Sequence, residues 1–287
     1  MQNNYGLETG LKNGMTFTGL QSGLGNGMHN DSMIKTKMIL PTNLTGYRSP
    51  TLFWNADNTT NTGYNSNISG VSNLAGTVSL SINSDPFYSY NNSFFSRGDI
   101  SFDANDSILT STGILGGGSE ATVMMVIYVG ANNGYTIYEK VSSQVLGTAG
   151  DFKLEVLSNK LRSTLVGFGG NTFSILDSID LKVQTEPILV TIKYRITRGN
   201  SGGTAILDGR PYHEMYINGV KNINIIQDNI QSRTETFTST QMYFGANSSA
   251  INGGGITGAV LVLPYCINES EQTMLENYFR WYYGFRF

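Results

Sequence analysis

From Ser49 onward the chain alternates short apolar runs with clusters of Gly, Asn and Asp. The runs are Thr51–Trp54, Ile100–Phe102, Ala121–Val129, Tyr135–Glu139, Phe152–Leu157, Leu161–Val166, Ile188–Arg195, Glu214–Ile217, Met242–Phe244 and Ile256–Leu263. Many short strands with turn signals between them predict a β-sandwich or barrel. Val123–Val129 and Val260–Leu263 are continuously apolar, as strands covered on both faces require. In Ile188–Tyr194, Ile188, Val190, Ile192 and Tyr194 share one face and Leu189, Thr191 and Lys193 the other, which predicts a sheet half-covered by protein. Asn218-Gly219 between two such runs is the strongest hairpin signal in the chain.

One helix is expected, at the C-terminus. Asn268 can cap it with Glu271 three residues on, and Met274, Leu275, Tyr278, Phe279 and Tyr282 form an apolar stripe. Gly284 supplies the stop. Residues 1–41 read differently: Gly- and Asn-rich to Asn30, then a strand-like stretch Met33–Leu40 ended by Pro41. The scattered apolar residues there (Tyr5, Leu7, Leu11, Met15, Phe17 and others) suit an arm that packs on a partner, so the expected division is an arm over 1–41 and one domain over 42–287.

Composition narrows the reading. Charged residues make up 14% of the 287 and there are 34 glycines, a turn-rich balance, while 39% hydrophobic residues leave enough apolar surface for a core. A net charge of −3 without a dense basic cluster argues against nucleic-acid binding. No apolar run is long enough to span a bilayer, and the first residues lack the basic and apolar regions of a secretory signal. A cytoplasmic origin is therefore expected, and the Asn-x-Ser/Thr triplets at Asn43, Asn58, Asn67, Asn91, Asn105, Asn247 and Asn268 are read as products of composition. The single cysteine, Cys266, beside the apolar run Ala259–Leu263, is expected to be buried and inert.

Several stretches together resemble the concanavalin A-like, laminin-G-like jelly-roll family over roughly Pro50 to Phe287. They are Leu52-Phe53-Trp54-Asn55-Ala56-Asp57, Ile100-Ser101-Phe102-Asp103, the hairpin Glu214–Val220, Tyr243-Phe244-Gly245-Ala246, the Gly-led strand Gly258–Leu263, and the capped helix Glu269–Tyr283. The resemblance implies an all-β, two-sheet antiparallel jelly-roll sandwich with one short C-terminal helix. The family pattern carries an acid in the Gly-led strand where this chain is wholly apolar. Lectins, receptor modules, glycosidases and viral surface proteins share the fold, so it assigns no function.

Catalysis is not expected. Glycosidic hydrolysis needs two carboxylates about 5–10 Å apart; Asp151 and Glu155 come nearest, but four residues along a strand with Lys153 between they read as solvated positions. His29 and His213 lie far apart without a Cys or carboxylate pattern, so neither zinc nor a nucleophilic triad is supported. Calcium takes scattered oxygen ligands, and Asp103, Asn105 and Asp106 form the densest oxygen cluster, which also suits a plain turn. Gly116–Gly118 and Gly253–Gly255 lack the Lys-Ser/Thr of a phosphate loop and read as loop tips. Two functions remain. The first is a structural virion protein of a bacteriophage (fibre, spike or capsid-decorating subunit), made in the host cytoplasm and assembled as a homo-oligomer with other virion proteins through its arm. The second is a lectin-like module gripping a cell-surface glycan through Trp54, Tyr64, Tyr88 and Tyr90.

Overall fold

The computed structural model describes residues 50–61, 65–76, 78–90, 98–103, 105–129, 135–140, 148, 150–166, 172–176, 186–196, 212–222, 225–226, 236–246 and 254–284. Within them the apolar runs become two sheets whose strand pairings are all antiparallel. The larger sheet has ten strands. Its order is β15 (Val220–Lys221), β14 (Tyr212–Ile217), β13 (Ile188–Arg195), β8 (Glu120–Tyr128), β18 (Ile256–Leu263), β6 (Gly98–Ser101), β5 (Phe87–Tyr90), β3 (Ser66–Val71) and β2 (Thr59–Asn61), with β1 (Leu52–Asn55) pairing β18 beside β6. The eight-stranded sheet runs β16 (Ile225–Ile226), β12 (Thr172–Leu176), β11 (Lys160–Val166), β10 (Phe152–Leu157), β9 (Tyr135–Lys140), β17 (Met242–Phe244), β7 (Ser107–Thr110), β4 (Leu80–Asn83). This is the antiparallel sandwich the pattern predicts, closed by helix α1 (Glu269–Tyr283).

Strand alternation divides the apolar residues between two layers. Leu52, Trp54, Val123, Met125, Ile127, Val190, Ile192, Val260 and Val262 face the eight-stranded sheet and form the main core. Aromatic side chains join the sheets there: Trp54 meets Phe244 edge-on at 6.0 Å, and Phe152 stacks on Tyr194 at 4.3 Å. Phe53, Met124, Val126, Leu189, Ala259, Leu261 and Leu263 point outward, where Leu275, Phe279, Tyr282 and Tyr283 of α1 cover them. The continuous apolar runs of β8 and β18 are thus covered on both faces, as expected. For β13 the expectation of a half-covered sheet is corrected. Seven of its eight residues are buried, because α1 lies across its outer face and Thr191 Oγ1 donates to Glu276 Oε1 at 3.3 Å.

The hairpin at Asn218-Gly219 forms as predicted, with φ of 54° and 83°. The positive φ favours glycine at 219, and a Cβ there would lie 2.7 Å from the ends of the Arg280 and Glu276 side chains, which would have to shift. Asn218 binds Leu189 through both its backbone N–H (2.8 Å) and its side-chain carbonyl (2.9 Å), and its own carbonyl accepts from Arg280 at 2.6 Å. The helix is therefore fastened to the hairpin as well as to the sheet.

Candidate functional site: the helix-covered face

Helix α1 starts and stops where the sequence directs. Asn268 Oδ1 accepts from the Glu271 N–H at 2.9 Å while Glu271 Oε2 accepts from the Asn268 N–H at 3.0 Å, a full capping box, and Gly284 ends it in the left-handed region at φ 69°. The sheet-facing stripe is Leu275, Phe279, Tyr282 and Tyr283. Met274, expected in that stripe, instead stands 39% exposed. It lies with half-buried Tyr278 and with Trp281, which is 48% exposed, at helical spacings of four and three residues, so the three share a second, outward stripe. Tyr278 and Trp281 pair at 6.1 Å with their planes tilted by 36°, and Trp281 touches Tyr282 edge-on at 6.4 Å. The result is a half-exposed indole backed by Tyr278, which itself packs against the sheet-facing cluster, on a helix whose other side is fixed.

Beneath the C-terminal end of α1 lies a buried acid pair. Asp57, on a single 3-10 turn (Ala56–Asn58) after β1, accepts at Oδ2 from the Tyr282 hydroxyl at 2.7 Å. Its Oδ1 accepts from the Gly98 N–H at 3.0 Å and the Tyr88 hydroxyl at 3.3 Å. Gly98 must be glycine, since a Cβ there would stand 2.4 Å from Asp57 Oδ1 and 2.6 Å from the Tyr88 ring. One residue on, Asp99 is fully buried; burial, with the Asp57 charge adding to it and a Ser89 hydrogen bond opposing it, pushes its carboxyl up from 3.8 to about 7. Tyr283, buried beside both acids, is held neutral by burial first and then by the surrounding tyrosines and carboxylates.

Two members of the aromatic set expected for glycan binding are buried in the structure. Trp54 is wholly buried and Tyr88 is 1% exposed with its hydroxyl on Asp57, because both sit on strands whose faces the sandwich and helix cover. Tyr64 and the Tyr90 side chain lie outside the described residues. Asp103, Asn105 and Asp106 do come together, as a turn: Asp106 Oδ1 accepts from the Asp85 N–H (3.1 Å) and Oδ2 from the Asp103 N–H (3.2 Å), while Asp103 Oδ1 accepts from the Asn105 N–H (3.1 Å). Trp281 went unread in the sequence, although its spacing of seven and three residues from Met274 and Tyr278 could have placed it on a second helical stripe, while Asp57 stood in the opening-strand motif. Asp99 carried no signal, because its neighbour Asp57 lies on a turn far away in the chain and its environment comes only from folding.

Other polar groups are sealed inside. The hydroxyls of Tyr138 and Tyr194 lie 2.7 Å apart, Tyr194 reaches Ser163 Oγ at 2.9 Å, and Ser163 reaches His213 Nε2 at 2.7 Å. A serine and a histidine at this distance have nucleophile–base geometry, but both are buried between the sheets, where the chain of bonds ties β9 and β11 to β13 and β14. Asp151, expected to be solvated, is fully buried; its Oδ2 accepts from the Thr148 N–H at 3.0 Å. Nearby Lys140, also fully buried, donates to the Thr238 carbonyl (2.8 Å) and the Thr240 hydroxyl (3.0 Å), and burial, offset by Asp151, brings its ammonium down to about 8. Glu155 pairs with Arg162 and Lys153. Cys266 is half-buried, its thiol donating to the Tyr194 carbonyl at 3.3 Å, and His29 lies outside the described residues.

No family model matches this chain, and no curated protein sequence does. Its fold, however, recurs among solved structures. The binding domain of botulinum neurotoxin serotype D covers 82% of this chain with a TM-score of 0.56 and 12% identity. The binding domain of Paraclostridial mosquitocidal protein 1 covers 80% with a TM-score of 0.56 and 15% identity. The binding domain of botulinum neurotoxin DC in complex with SialylT covers 82% with a TM-score of 0.55 and 14% identity. These likenesses show a shared β-sandwich. The chain spans about half of each of those domains, 52% in all three. The virion role expected from the sequence gains no support from these comparisons, and the arm expected over 1–41 lies outside the described residues.

Proposed function

We propose that this chain is a non-catalytic recognition module that holds a carbohydrate on the outward stripe of α1. The carrying observation is Trp281, half-exposed beside Tyr278 on a helix that is capped, buried along its other face and tied to both the Asn218 hairpin and Asp57. Aromatic faces present large contact area at small entropic cost, and a helix on a closed core holds them in place before a ligand arrives. Tyr216, another half-buried aromatic among the described residues, suits the role less, since Lys193 and Lys221 stand 5.1 and 5.9 Å from its ring. The fold shared with toxin binding domains, one of them solved with SialylT, supports the reading.

The test is a glycan array probed with the full chain and with Trp281→Ala, with and without calcium. An anchor tryptophan contributes about 2 kcal/mol or more, so Trp281→Ala should weaken a bound glycan by about 30-fold or more without lowering thermal stability. Binding that survives Trp281→Ala moves the site elsewhere; an array without any bound glycan sinks the reading. A calcium requirement abolished by Asp106→Asn would give the Asp103–Asp106 turn a metal.

A further inference from the structure

Two lysines are buried among the described residues, Lys140 and Lys193, and their ammonium groups are treated differently. Lys140 donates to Thr238 and Thr240. Lys193 is 4% exposed, stands between Thr122 of β8 and Glu214 of β14 in the register of the sheet, and points outward with them. Its ammonium lies 5.1 Å from the centre of the Tyr216 ring, and among the described residues no oxygen accepts a hydrogen bond from it. Glu214, its partner in register, is already engaged: Oε1 accepts from Lys221 and Oε2 from the Tyr216 hydroxyl at 3.0 Å. Burial draws the Lys193 pKa down, while the charges of Glu214, Cys266 and Glu269 work the other way. The charge is thus balanced at a distance, but its N–H donors are not used.

A buried acceptor without a donor stands over the same stretch of sheet. Thr191, two residues before Lys193, donates to Glu276, and Thr122, opposite Lys193, accepts from the Ile267 N–H at 3.1 Å. Gln272 lies on α1 between those two contacts. Its amide group donates to Glu276 Oε1 at 2.7 Å, which fixes the way the amide faces, and its Oε1, on a residue 5% exposed, has no partner. Leaving a buried donor and a buried acceptor unmade is costly, and a hydroxyl answers both because it accepts and donates. An anion would leave Gln272 unpaired and would face Glu214 and Glu269; a cation would do nothing for Lys193.

We propose that the seam between the first two turns of α1 and strands β13 and β14 is a saccharide subsite, in which Lys193 donates to a sugar hydroxyl and Gln272 Oε1 accepts from that hydroxyl or the next one on the ring. Tyr216 steadies the ammonium and is not a stacking platform. The residues bordering the seam, Tyr216, Lys221 and Thr273, reach solvent. The subsite rests on the carbohydrate reading and extends it, since Gln272 lies nine residues from Trp281, about 13 Å along the helix axis, and the two meet different rings of one oligosaccharide.

The experiment probes a glycan array with the full chain beside Lys193→Met and Trp281→Ala, and follows the thermal unfolding of each. Methionine keeps much of the stem and removes the ammonium, so the melting temperature should hold or rise, while binding of the selected glycan should weaken about tenfold or more. A glycan weakened by Trp281→Ala and untouched by Lys193→Met overturns the subsite and leaves the platform. One weakened by Lys193→Met alone retires the platform and leaves the subsite, and an array with no bound glycan overturns both. Should Lys193→Met fail to fold, the side-chain amide signals of Gln272 in the labelled wild-type chain decide: a shift on titration with the selected glycan supports the subsite, and unmoved Gln272 signals beside a shifted Trp281 indole overturn it.

Discussion

The two faces of the ten-stranded sheet bury apolar residues with equal care but treat polar groups in opposite ways. On the inner face a row of side chains, Tyr138, Tyr194, Ser163 and His213, is joined at 2.7–2.9 Å across the gap between the sheets. Burial drives the ionisation of both tyrosines upward, so they stay hydroxyls at any physiological pH. On the outer face acids lie under a helix or on its buried side, Asp57, Asp99 and Glu276, and burial pushes the Asp99 carboxyl up to about 7. A hydroxyl row that keeps its protons suits a scaffold. A covered surface that can change charge, next to half-exposed aromatics, is where function is sought.

The largest effect expected on this contrast comes from Phe279→Ala. Phe279 is fully buried at the centre of the outer layer, and loss of such a ring costs about 3–5 kcal/mol. Urea unfolding monitored by Trp281 emission should show that loss, with the native baseline of Trp281 shifted to the red because its helix is loosened. An unshifted baseline would mean that the helix needs no apolar anchor and that both layers are equally rigid. Tyr194→Phe probes the inner face. It removes the hydroxyl that bridges Tyr138 and Ser163 and leaves both buried partners one bond short, a cost of about 1–3 kcal/mol. The same unfolding curve reads it, and because the lost group is neutral, the decrement should be equal at pH 6 and pH 8. A pH-dependent decrement would break the contrast between the faces.

Much of the sandwich was legible because its central strands obey simple rules. Ile188–Arg195 and Ile256–Leu263 fall where the apolar runs lie, since a strand buried on both faces has few polar positions to confuse the pattern, and Phe152–Leu157 and Met242–Phe244 fall there because their burial alternates cleanly. The strands left unread, such as Ser66–Val71 and Ser107–Thr110, are short and polar. Their pairing supplies what their side chains do not. The site was less legible for a different reason. An aromatic residue after an apolar run looks the same whether it faces the core, as Trp54 does, or solvent, as Trp281 does; the strand's two-sided cover and the helix's angular spacing decide. Asp99 becomes an acid with a proton only through burial and a neighbour 42 positions away in the chain, Asp57.

The smallest expected effect tests the helix from its other end. Asn268→Ala removes the side-chain acceptor of the Glu271 N–H and with it half of the capping box, which costs about 1 kcal/mol. The first turn carries no apolar anchor before Leu275, so the loss should appear as local fraying of residues 269–273 and not as loosening at Tyr282, which Asp57 holds independently. Hydrogen exchange should therefore speed at the start of α1 while acrylamide quenching of Trp281 stays at its wild-type value. If quenching rises as well, the helix moves as one body, and its far end is governed by the cap as well as by the Tyr282–Asp57 bond.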